Sequence, residues 1–221
     1  MGLDWVPTNR PKPGAEAEFE DIFNVFFKKK KAGFWASLFA KPVDMEALAL
    51  RSQEISISAY ETLKAPIVGS DPRADEWARK YYEGLEDKTK PLDEFMAEMK
   101  GYYVLDLVPD CDGLPVYVSP TLERHAFRAK FLDDCVDIIG DDMHADAWNS
   151  KLPREAMVYG NKLMQLDTDY GAANDCLFPK GQRAYPEVEE GSPQSKAHIL
   201  FSAAKWILFW AEKGHGMEAN F

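Results

Sequence analysis

The sequence predicts a mainly α protein, a single helical domain of about seven or eight helices with a minor two-stranded β element. Three observations carry this reading. Apolar residues recur at three- and four-residue steps through most of the chain, the period of one helix face. Helix-opening signals precede those stretches: Asp44, Ser70-Asp71-Pro72, Pro91, Pro153 and Ser192-Pro193. Period-two alternation, the mark of a half-buried strand, is confined to short pieces. A chain of 221 residues with 46% hydrophobic content can bury one substantial core, and no composition break forces a second domain.

Taken in order, residues 1–14 read as an irregular lead rich in proline and glycine, with Trp5 folded back on the body. Phe19, Ile22, Phe23, Phe26 and Phe27 then fall at i, i+3, i+4, i+7 and i+8, an amphipathic helix. Early Glu16, Glu18, Glu20 and Asp21 and late Lys28–Lys31 complement its dipole. Residues 43–51 predict another helix, and residues 54–58 alternate like a strand or extended connector. Trp77, Tyr81 and Leu85 stripe the next helix. Phe95, Met96 and Met99 stripe the one after, which also carries Glu94 and Glu98 one turn apart. Residues 102–108 and 116–118, joined across Pro109–Gly113, form the predicted β pair. The turn Asp110-x-Asp112-Gly113 is not an EF-hand loop, which would need an acid or amide at Val108 and a glutamate at Ser119.

Residues 121–148 form the densest stretch. Phe127, Phe131, Leu132, Cys135, Val136 and Ile139 share one helix face, and Lys130, Asp134, Asp137, Asp141 and His144 share the other. Gly140 is a point where the helix can break. The helix opened by Pro153 carries Met157, Val158, Leu163, Met164 and Leu166 and ends near Tyr170-Gly171. Residues 172–192 read as a long loop whose Lys180 and Arg183 suit an anionic ligand. The last helix, from Ser192-Pro193 to Gly214, is apolar nearly all round and carries Trp206, Phe209 and Trp210. Such a helix is either central to the core or half of an oligomer interface. His198 reads as a hydrogen-bonded core residue and His215 as exposed.

The net charge of −11 disfavours non-specific nucleic-acid binding, because phosphates would be repelled. The first residues lack a secretory pattern, and no run reaches the 18 or more apolar residues of a membrane span. Cys111, Cys135 and Cys176 are odd in number and far apart, which suits free thiols in a reducing cytoplasm. P-loop, G-x-G-x-x-G, H-E-x-x-H and G-x-S-x-G motifs are all missing from the sequence.

One chemical lead stands out. Asp133-Asp134-Cys135-Val136-Asp137 reads D-D-x-x-D, and carboxylates three apart on a helix can share a hard cation. Those five residues resemble the magnesium-diphosphate motif of isoprenoid synthases; no second such motif or matching chain length accompanies them. At ~1.5 Å rise per residue, Asp134 and His144 lie roughly 15 Å apart, so only neighbouring pairs could ligate one ion.

Two function classes follow. The first is a non-catalytic interaction or structural protein of the cytoplasm, without cofactor. It would meet a partner, or a second copy, through its aromatic C-terminal helix or through Lys28–Lys31. The four lysines, flanked by aromatics, also suit a phosphate-bearing partner or an anionic membrane surface, though membrane binding is the weaker reading. The second is a divalent-metal-dependent hydrolase or transferase acting on a phosphate-bearing small molecule. There Asp134, Asp137 and Asp141 would hold Mg²⁺, Glu94 or Glu98 would complete the shell, and His144 would act as general base.

Overall fold

A computed structural model of the chain describes residues 2–28, 44–86, 88–115, 125–177 and 187–221. The fold is mainly α: nine α-helices occur among the described residues, with three 3₁₀ helices and two small antiparallel sheets. No helix among the described residues is long and apolar enough to cross a membrane. Chain contacts divide into two compact units, Met1–Ala59 with Leu114–Phe221, and Tyr60–Gly113.

The first unit is closed by its sequence ends. Strand β1 (Asp4–Pro7) pairs antiparallel with β4 (Met217–Asn220), Asp4 opposite Asn220. Strand β2 (Arg10–Pro11) pairs with β3 (Ser56–Ile57). The lead expected to be irregular therefore carries two strands. Its prolines do not prevent this, because Pro7 and Pro11 stand at strand ends, where a missing N–H interrupts little of the ladder. Trp5 is fully buried, as its sequence position suggested, and its Nε1 donates to Ala147 O at 2.9 Å.

Helix α1 (Glu16–Phe27) buries Phe19, Ile22 and Phe23; Phe19 and Ile22 cluster with Ile55, and partly buried Leu48 and Leu152 pack on them. Helix α2 (Met45–Glu54) is opened by Asp44, whose Oδ1 accepts from Ala47 N at 3.0 Å. Helices α8 (Pro153–Ala173) and α9 (Pro193–Glu212) form the centre of the unit. The inward face of α8 is built from small residues, Ala156, Gly160 and Gly171, alongside Tyr159, Leu163 and Asp167. A Cβ on Gly160 would lie 2.7 Å from Ile207 Cγ2, so glycine is what lets the two helices approach. Val158 stands outside that buried face. It is 71% exposed, because the buried stripe runs along the small residues rather than the large ones.

Helix α9 is largely interior: Leu200, Phe201, Ala203, Ala204, Trp206, Ile207 and Trp210 are all inside the unit, and Lys205, Leu208 and Phe209 are partly buried. Trp206 sits 6.0 Å from Trp5 and 6.3 Å from Phe127, ring to ring, and its Nε1 donates to His125 O at 2.8 Å. His215, expected to be exposed, is fully buried, with Nδ1 2.7 Å from Thr8 O. The reason is topological: it links α9 to β4, and the strand's pairing carries it under Thr8. Burial pushes its pKa down to about 4.

The stretch expected as one helix is three pieces. A 3₁₀ helix (Ala129–Cys135) leads into α6 (Val136–Ile139), and Gly140, at φ +77°, separates α6 from α7 (Asp141–Asp146). Three residues per turn bring Ala129, Leu132 and Cys135 onto the buried side and rotate Phe131, expected inward, to 48% exposure.

Helix α3 (Ala59–Leu63) leads into the second unit, which holds α4 (Pro72–Glu83) and α5 (Leu92–Met99). Asp71 caps α4, accepting from Arg73 N at 2.9 Å. Val68, Ala74, Ala78 and Val104 are its buried centre, and partly buried Trp77, Phe95, Met96, Met99, Tyr102 and Leu107 pack on them. Tyr81, expected in the stripe, is 41% exposed and stacks on Trp77 at 5.3 Å. The β pair expected here is absent from residues 102–108, which give only a bridge from Tyr103 to Ile67 and the 3₁₀ helix Leu105–Leu107. A second 3₁₀ helix, Pro109–Cys111, follows, and residues 116–118 lie outside the described residues. Tertiary packing of Val104 and Leu105 outweighs the local β preference.

Candidate functional site

Of the residues expected to hold a metal, Asp137 and Glu98 are paired with lysines. Asp137 accepts from Lys196 Nζ through both oxygens at 2.8 Å. Asp134 is exposed, and Asp141 is exposed in the first turn of α7, beyond the Gly140 break. Glu94 and Glu98 lie on α5 of the second unit, where Glu98 Oε1 accepts from Lys90 Nζ at 2.6 Å. Among the described residues no three His, Cys, Asp or Glu side chains gather as a metal site would need. His144 faces Asp133, a carboxylate outside that set, with Nε2 2.8 Å from Oδ1, and Lys130 pairs with the same carboxylate. Burial alone would raise the Asp133 pKa; Lys130 and His144 outweigh it and hold it below the ordinary value. The pair ties the 3₁₀ helix to α7 across Gly140.

Lys28 is the described member of the lysine run; residues 29–31 and the aromatics after them lie outside the described residues. So do Lys180 and Arg183 of the expected loop, whose first residues, Ala172 and Ala173, end α8.

What the fold does assemble is a cleft of about 980 Å³ in the first unit. The end of α1 contributes Phe27 and Lys28, α7 contributes Asp142, Met143 and Asp146, and α8 contributes Arg154, Glu155, Val158, Tyr159 and Lys162. Asn149, Ser150 and Lys151 close the end between α7 and α8. A second cavity of about 300 Å³ lies between α1 and α2, bordered by Glu218 of β4. Burial raises the Glu218 pKa.

Lys151 is the fixed point of the cleft. Its side chain is 4% exposed; Nζ donates to Asp146 O at 2.5 Å and Asn149 O at 3.1 Å, and lies 3.0 Å from Asp146 Oδ1. The ammonium also sits 4.7 Å from the Tyr159 ring centroid. Burial lowers its pKa, partly offset by Asp146. Its backbone exchanges two hydrogen bonds with Met217, at 2.7 and 2.8 Å. A lysine held by two carbonyls and a carboxylate locks the end of α7 in place and is spoken for as a ligand group.

Lys28 is likewise paired, with Glu155, whose other oxygen accepts from Leu152 N at 2.9 Å. Arg154 and Lys162 differ. Both are exposed on α8, two turns apart with Val158 between them, and among the described residues neither pairs with a carboxylate. The four cations of the cleft (Lys28, Lys151, Arg154, Lys162) face three carboxylates (Asp142, Asp146, Glu155), a local excess of one positive charge on a chain of net charge −11. Sequence reading passed over Arg154 and Lys162, although a signal exists. Neither has an acid three or four residues away, the spacing that neutralises cations on an ordinary solvated helix.

Compared with protein-family models, curated proteins and solved structures, the chain matches none.

Proposed function

We propose that this chain is a non-catalytic binding protein whose cleft on the first unit takes an anionic ligand. The carrying observation is Arg154 and Lys162, exposed on the cleft wall on either side of Val158 and without carboxylate partners among the described residues. Cations left unpaired beside apolar surface are available to a charged partner and add both attraction and orientation. The cleft is favoured over the aromatic C-terminal helix, because α9 buries Phe201, Trp206 and Trp210 inside its own unit and leaves Phe209 half-buried. The metal-dependent alternative draws less support, since Asp137 is committed to Lys196. The buried free thiols of Cys135 and Cys176 suit a reducing cytoplasm, and burial pushes the Cys135 pKa up to about 12, which leaves it unreactive.

Calorimetric titration with pyrophosphate and with a glutamate hexapeptide tests the reading, on wild type, Arg154→Glu and Lys162→Glu. Binding should weaken by roughly tenfold in each variant and fall with added salt. Binding indifferent to both substitutions, or none with either probe, would overturn the assignment. Both residues are exposed, so circular dichroism of the variants should match wild type.

A further inference from the structure

We infer that the ligand is an extended peptide segment with an acid, an apolar residue and an acid at alternate positions, lying along α8 with its apolar side chain on Val158. This rests on the reading of the cleft as an anion site and adds the identity of the anion's carrier.

The first argument is spacing. Arg154, Val158 and Lys162 are successive i, i+4 positions on α8 and share a face, with ~6 Å of rise between neighbours and ~12 Å from end to end. An extended chain places residues i, i+2 and i+4 on one side, ~6.6 Å between neighbours and ~13 Å overall. Three contacts in register, cation–apolar–cation against acid–apolar–acid, follow from two unrelated backbone repeats that nearly coincide.

The second argument is the apolar surface between the charges. Val158 is 71% exposed and Phe27 38%, while Met143 and Tyr159 lie buried behind them. A small inorganic anion would satisfy Arg154 or Lys162 and leave this surface in water. A side chain anchored on Val158 and Phe27 removes it, and a central apolar anchor ringed by polar contacts is how short segments bind.

The third argument sets the intervening positions. The alternate residues of the extended segment point away from α8, and the cleft carboxylates Asp142 and Asp146 are carried by α7, not by α8. Acids there add like charge to the cleft, so these positions favour lysine.

The test uses capped pentapeptides of identical composition and net charge, Glu-Lys-Leu-Lys-Glu and Lys-Glu-Leu-Glu-Lys, with pyrophosphate as third probe. Affinities come from calorimetry or, where weak, from amide chemical shifts of the full chain. The first peptide should bind at least about tenfold tighter than the second. That preference should vanish in Arg154→Glu and Lys162→Glu, and the neutral substitution Val158→Ser should weaken the first peptide more than it weakens pyrophosphate. If the peptides bind equally, or only pyrophosphate binds, with dependence on Arg154 and Lys162, the peptide inference is overturned and the anion site stands. If none of the three probes responds to the charge reversals, both fall.

Discussion

The two compact units use aromatic residues in opposite ways. In the first, Trp5, Trp206 and Trp210 are at most 1% exposed, and the indoles of Trp5 and Trp206 donate to backbone carbonyls. In the second, the fully buried residues are small, Val68, Ala74, Ala78 and Val104, and the aromatics form a partly wet roof. There Trp77 stacks on Tyr81 and Tyr102, and its Nε1 donates to Asp106, itself exposed. The difference teaches where stability resides. Area removed from water scales with side-chain size, at ~25 cal/mol per Å², so large buried rings dominate the first unit and have no counterpart in the second.

The sharpest way to break that contrast is a pair of truncations. Trp206→Ala should cost about 3–5 kcal/mol by urea unfolding, and Trp77→Ala less than half as much. Equal costs would mean that the roof of the second unit is as well packed as the core of the first.

Acid titration separates the units next. His215 has a folded pKa of about 4 against an ordinary 6.5. Its contribution is therefore full above pH 6.5 and is lost as pH falls toward 4, because the unfolded chain takes up a proton the folded chain refuses. Asp167 runs the other way: burial raises its pKa from 3.8 to about 6, so its contribution is full below pH 3.8 and lost as pH rises through 6. Each is worth at most about 3 kcal/mol, and their slopes oppose each other between pH 4 and 6. Asp167→Asn should raise stability at pH 7 by up to that amount and steepen the decline on the acid side, read by unfolding at pH 4.5, 5.5 and 7. The shifted groups of the second unit are solvent-exposed pairs such as Glu76–Lys80, so no comparable response is expected there.

Glycine substitutions sharpen the comparison further. A Cβ on Gly216 would stand 2.3 Å from the Lys151 carbonyl oxygen, so Gly216→Ala should cost about 1–3 kcal/mol or more. Gly101 of the second unit has open space around it and only its φ of +88° to protect, so Gly101→Ala should cost about 1 kcal/mol. The smallest effect belongs to Asp137→Asn. Its pair with Lys196 leaves the carboxylate 62% exposed, and the loss should stay below about 1 kcal/mol. A Mg²⁺-dependent rise in melting temperature in wild type, absent from this variant, would restore the metal reading.

Much of the helical framework was legible in the sequence. The phenylalanine stripe of α1, the Asp44 and Asp71 caps and the apolar last helix each state their structure within one short window. What escaped depends on partners far away in sequence. Strand β1 finds β4 more than 200 residues later, and His215 is buried because of that pairing. The 3₁₀ helix escaped for a different reason: Phe131 fits a 3.6-residue period as well as its neighbours do, and only packing selects the tighter turn. The cleft was legible least of all. Its Lys28–Glu155 pair joins α1 to α8, and the cations without a carboxylate partner among the described residues are identified only once that pairing is known.

The β1–β4 pairing also orders events during synthesis. The first unit is discontinuous, its two pieces interrupted by Tyr60–Gly113, and its central helix α9 and closing strand are translated after everything they pack against. A nascent chain on the ribosome therefore holds all of the second unit while the Trp5 side of the first still waits for Trp206 and Met217. Until then the indole of Trp5 has no finished core to enter and stays exposed on the emerging chain.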